Sequence, residues 1–221
     1  MLAGAVAVFV TDSEAGPVGL LAVGMILFII GVARQLPTRL KAGDYEAGWD
    51  AARAATTLFA DAVEDAAPGQ KLGLITQAEE LLARYPALEG SGLRQVLTEE
   101  LAGELIRQIV ADSNGQLTLA PADPRSDWDF TILGVDGKKL GVWASTRRDV
   151  QASKVVRNLV HQSFDQDPDF VGALVVLDSE PNAAAKSRYA ALPGVHLAVV
   201  GEPGDRVHLR ESIRNALGVS P

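Results

Sequence analysis

The spacing of apolar residues changes several times along this chain, and each change marks an element. From Ala15 to Ala33 (AGPVGLLAVGMILFIIGVA) the chain is apolar without a charge. Two mixed stretches follow, 51–67 and 71–84, each with apolar residues on one side of a helix; Leu58, Phe59, Ala62 and Val63 form the stripe of the first. Pro68-Gly69 separates them and Tyr85-Pro86 closes the second. Leu93, Leu97, Leu101, Leu105 and Ile109 then recur every four residues, which predicts a long amphipathic helix ending near Asn114-Gly115.

Beyond that helix the period shortens. Leu117–Ala120 is expected as a short strand. Over 127–135 (DWDFTILGV), Trp128, Phe130 and Ile132 alternate with Asp127, Asp129 and Thr131, the period of a half-buried strand. Asp136-Gly137 is a hairpin signal, since such turns need positive φ, and Lys139–Thr146 is the returning strand. Val150–Ser163 reads as a helix. Phe170–Leu177 (FVGALVVL) is continuously apolar, as in a strand buried on both faces. A small-residue helix (181–191), a second buried strand (195–200) and a terminal helix (206–217) complete the order α-β-β-β-α-β-α-β-α. Hairpin strands followed by helix-crossover strands predict an α/β fold with a mixed sheet flanked by helices. Three regions are expected: a membrane segment or hairpin over 1–35, a helical spacer over 36–90, and a domain over 91–221.

The first region decides location. A helix over residues 15–33 would span roughly 28 Å, close to the apolar thickness of a bilayer. Neither a basic leader before it nor a small-residue cleavage site after it suggests a signal peptide. Arg34, Arg39 and Lys41 follow directly, and by the positive-inside rule they place the downstream chain in the cytoplasm. Residues 1–10 are also apolar, but too few to span in the ordinary way. The expectation is a protein of the cytoplasmic membrane, with the lipid bilayer as one partner and its larger part facing the cytoplasm.

Composition narrows the chemistry. The chain has no cysteine, which removes disulfides, thiolate metal sites and cysteine nucleophiles together. Its net charge of −8 argues against a general nucleic-acid binder, so any such role needs a local basic patch. His161, His196 and His208 have no metal-site spacing, and no phosphate-loop or nucleophile-elbow motif occurs.

Residues 91–200 resemble the restriction-endonuclease-like (PD-(D/E)xK) core, in particular its Mrr-like branch. The resemblance rests on the element order, on the acidic pair Asp127/Asp129 at the second strand, and on the third strand, LGVWAST. It implies a Mg²⁺ site in which carboxylates hold the metal and a lysine helps orient the attacking water. Asp129, or Asp127, falls at the metal-binding aspartate. Trp143 falls at the family's glutamate and Ser145 at its lysine, and neither side chain can do that work. Lys154 on the next helix is the candidate replacement cation, with Gln151 a weak ligand. The resemblance therefore implies a degenerate nuclease domain with no cofactor. The alternatives are a Mg²⁺-dependent nuclease with a displaced site, built on Asp127, Asp129 and Lys154, and a purely structural protein-interaction domain.

Lys138, Lys139, Arg147, Arg148, Lys154 and Arg157 lie within 20 residues. In the family fold this stretch surrounds the substrate cleft. These cations, with Ser145 and with Trp143 as a stacking face, are the candidate site for an anion, a nucleotide or nucleic acid. The competing readings are a solvated basic face, attraction to anionic lipid, and core packing for Trp143. A protein partner is the remaining candidate.

Overall fold

The computed structural model describes residues 56–84 (58, 62 and 64 apart), 92–121, 126–147 and 149–219. The expected membrane segment over 1–35, most of the spacer over 36–90, and Arg148 lie wholly or partly outside these. The chain divides into two compact units, Met1–Leu97 and Thr98–Pro221.

In the first unit, helix α1 spans Pro68–Arg84. Pro68 opens this helix, where the sequence suggested a break ahead of Lys71. A proline at a first helical position loses nothing, because its missing N–H has no intrahelical partner there. Ile75, Ala78 and Leu82 are buried along one side at spacings of three and four. Helix α2, Leu93–Ala111, begins in this unit and continues into the second.

The second unit is built on a five-stranded mixed sheet in the order β1-β2-β3-β4-β5. Its strands are β1 (Leu117–Leu119), β2 (Phe130–Gly134), β3 (Lys139–Ser145), β4 (Phe170–Leu177) and β5 (Val195–Val199). The first three form an antiparallel meander, and β3, β4 and β5 run parallel. Helices α3 (Val150–Gln166) and α4 (Ala183–Ala190) are the two crossovers, and α5 (Arg206–Leu217) ends the chain. Gly137, at φ +81°, makes the β2–β3 turn expected from Asp136-Gly137.

Two successive parallel crossovers in one direction along the sheet are expected, by the usual handedness of such connections, to put α3 and α4 on one face. Val156 and Val160 of α3 and Ala185 and Tyr189 of α4 accordingly share a core with Ala173, Val175 and Leu177 of β4. The alternate residues Leu174 and Val176 are buried on the other face, where α5 packs with Leu209, Ile213 and Leu217. The apolar run of β4 is thus explained: both of its faces are covered.

The second strand departs from its expected bounds. It starts at Phe130, and Ser126–Asp129 form a bend. Trp128 therefore leaves the alternation. Phe130 pairs with Val142 and lies against Gly103 of α2, so it faces the α2 side. The Trp128 indole instead covers Gly141, the next position of β3 and so the opposite face. The third strand ends at Ser145 and α3 runs on to Gln166, three residues past its expected end.

Candidate functional site

Two places in the second unit concentrate the chemistry. The first is the end of the sheet where β2 begins and β3 ends, the position the resemblance singles out. The second is a cleft beside α3.

At the first place Asp129 is held by its neighbour strand. Its backbone N–H donates to the Val142 carbonyl at 3.0 Å, and its Oδ2 accepts the Ala144 N–H at 2.7 Å. The side chain thus continues the β2–β3 ladder where the backbone of the bend turns away. The residue as a whole is exposed, yet its carboxylate is tucked against β3. Burial pushes its pKa up, and the Ala144 N–H offsets part of that rise.

Trp143 and Ser145 project from β3 on the face opposite to Ala144. Trp143 is half-buried and packs against the core formed with α3 and α4. Ser145 is buried, and its Oγ accepts the Arg147 N–H at 3.1 Å. Asp149 caps α3, its Oδ1 accepting the Ala152 N–H at 2.9 Å. Lys154 is exposed and stands about 200° around the helix from the buried Val156, on the outer side of α3. Asp127 is exposed in the bend, and Gln151 is exposed on α3. Among the described residues no three carboxylate or histidine groups come together to hold a metal. One oxygen of Asp129 is already engaged by the Ala144 N–H.

The cations identified in the sequence separate along β3, whose length is about 20 Å. Lys138 and Lys139 sit at the hairpin end. Lys138 pairs with Asp136 at 2.6 Å and Lys139 with Asp167 at 2.7 Å. The hydrogen bond from Lys139 holds the Asp167 carboxyl below its ordinary range, and the same bond raises the lysine. Both partners are solvated, so the pair contributes little to stability. Arg147 follows the other end of β3, and Lys154 and Arg157 lie along α3, all exposed. The structure therefore spreads these three from the end of β3 to the middle of α3, and leaves Lys138 and Lys139 paired at the opposite end of β3.

The second place is a cleft of about 560 Å³ between the open face of β2–β3 and α3. Trp128 and Phe170 line it as an offset pair, ring centres 5.7 Å apart. Gln162, Gln166, Asp127 and the Lys139–Asp167 pair stand around it. A smaller pocket of about 220 Å³ adjoins it and shares Trp128 as a wall. Trp128 itself is fixed: its Nε1 donates to Ser163 Oγ at 2.9 Å. Reading the sequence for a nuclease motif passed over Trp128, Gln162, Gln166 and Phe170. One signal was present: Gly141 within a strand, which marks a close approach. What approaches is the Trp128 ring.

Compared with family models, with curated proteins and with solved structures, the chain matches none.

Proposed function

We propose that this protein is a membrane-anchored binding or sensing protein whose cytoplasmic domain has a restriction-endonuclease-like fold and does not cleave. The observation that carries this reading is the use of Asp129. Its carboxylate serves the β2–β3 ladder through Ala144, and the positions beside it hold Trp143 and Ser145. Phosphodiester hydrolysis of the family's kind needs at least two metal-holding oxygens and a cation at one point. Here Asp129 is engaged and Lys154 faces outward, so the residues suit recognition rather than turnover. The fold supports the family reading through its element order and its strand directions.

The anchor rests on the charge-free run over 15–33 and the cations Arg34, Arg39 and Lys41. These lie outside the described residues, among which no helix is long and apolar enough to cross a membrane.

The test uses the full chain, purified in mild detergent. It is incubated with single- and double-stranded DNA and RNA in Mg²⁺ or Mn²⁺, and cleavage and retention are recorded together at two salt concentrations. The expected result is no cleavage under any condition. Metal-dependent cleavage that disappears in Asp129→Asn would overturn the reading and make the domain a nuclease with a displaced site. Fractionation of the native host provides the second arm. Recovery of the intact chain in the soluble fraction would remove the anchor.

A further inference from the structure

We propose that the cleft beside α3 is a receptor for an arginine side chain of a partner polypeptide. This goes beyond the binding reading above: it names a different surface and the chemistry of what docks there.

The floor of the cleft selects a flat group. A Cβ built on Gly141 would lie 2.5, 2.6 and 2.9 Å from Cδ2, Cε2 and Cγ of Trp128, so the indole rests flat over that glycine. The ring is tied at one edge by Ser163 and flanked by Phe170, at 26° to it. An aromatic surface held in this way needs no rearrangement to accept a ligand, and its π-face attracts cations.

The rim decides the charge. Among the described residues, Asp127 and Asp167 line the cleft against one cation, Lys139, which also feels the charge of Asp169. Lys139 is already paired with Asp167, so among the described lining residues Asp127 is the charge without an ion-pair partner. A phosphate-bearing ligand would meet net repulsion here, and a cation net attraction. Gln162 and Gln166, one helical turn apart on α3, are exposed and line the cleft. Their side-chain carbonyls and the Asp127 carboxylate are acceptors around an aromatic floor. A guanidinium is flat, weakly hydrated and carries five donors, and it fits this set better than a compact, strongly hydrated ammonium. The adjoining 220 Å³ pocket continues past Trp128. The groove therefore extends beyond one side chain, which suits an arginine carried on a polypeptide.

The experiment titrates the full chain in detergent by calorimetry with the blocked tripeptide Ala-Arg-Ala. Matched titrations use the peptide with citrulline, the neutral flat isostere, the peptide with lysine, free arginine, and AMP. The expected order is Ala-Arg-Ala first, with the citrulline peptide weaker by roughly tenfold or more. Asp127→Asn and the double variant Gln162→Ala/Gln166→Ala should each weaken arginine-peptide binding about threefold or more. All of these positions are exposed, and an unchanged thermal midpoint checks that the fold survives. The proposal is overturned if no saturable arginine-peptide binding occurs, if the citrulline or lysine peptide binds as well, or if neither variant changes affinity. It is also overturned if free arginine binds as well as the peptide, or if AMP binds more tightly than the peptide. Its failure is separable from failure of the binding reading. Absence of saturable arginine-peptide binding while nucleic acid is retained uncut would sink this proposal alone, and metal-dependent cleavage with arginine-peptide binding intact would sink the other alone.

Discussion

The carboxylate of Asp129 accepts the backbone N–H of Ala144 at 2.7 Å, one residue before β2 begins. A side chain here supplies the acceptor that a strand backbone would otherwise provide. Removing it leaves a donor of β3 without that partner, and Asp129→Ala is expected to lower stability by about 1–2 kcal/mol. Asp129→Asn keeps an oxygen acceptor without the charge. Burial raises the folded-state pKa of Asp129 above its ordinary value of 3.8, so the folded chain binds the proton more tightly than the unfolded one. Stability from this group is therefore full below that ordinary value and is lost as pH rises through the raised one. The asparagine variant lacks this loss. Thermal midpoints of the two proteins, compared from acid to neutral pH, should show the variant gaining on the parent over that window.

Two glycines of the sheet make room for different neighbours. At Gly141 an added methyl group meets the Trp128 ring, and at Gly172 it meets the backbone carbonyl of Gly194. A side chain can tilt away, but a backbone held in the β4–β5 ladder cannot. Gly141→Ala is expected to cost about 1–3 kcal/mol and to shift the fluorescence of Trp128. Gly172→Ala should cost more and reduce the folded yield. Urea unfolding of both variants checks the order.

Asp149 closes the N-terminus of α3 through Ala152. Asp149→Ala should destabilise by about 1 kcal/mol, whereas Asp149→Asn, also a good cap, should cost only a fraction of that. If the two variants unfolded together, the cap would not be what holds this end of α3.

Tyr189 is buried in the core between α4 and β4, and burial, with a smaller effect of Asp149, pushes its phenol up to about 12. Folding thus favours the protonated phenol, and the stability it contributes is lost as pH rises from the ordinary 10.0 through about 12. In an alkaline titration followed by tyrosinate absorbance, Tyr189→Phe should remove a step at about that pH. Loss of a step near the ordinary 10.0 instead would show the hydroxyl to be accessible.

Hydrophobic periodicity is local, and what depended on it could be read directly. The order of elements from Leu93 onward, the hairpin at Asp136-Gly137 and the double burial of β4 followed from the spacing of apolar residues and one turn dipeptide. The absence of a Glu-x-Lys pair from β3, where Trp143 and Ser145 stand, was equally legible, because it concerns residue types alone. Their arrangement in space was not. Strict alternation put Trp128 on the face of Phe130, but a bend before β2 ended the pleat and turned the indole onto Gly141. The described cations of the run Lys138–Arg157 do not gather at one point, because the length of β3 sets Lys138 and Lys139 at one end and Arg147 past the other, with Lys154 and Arg157 along α3. The cleft draws on the bend, the β2–β3 face and α3, three parts with no common sequence pattern. Such convergence is created by strand register and by the packing of α3 on the sheet, which are long-range properties that no local spacing encodes.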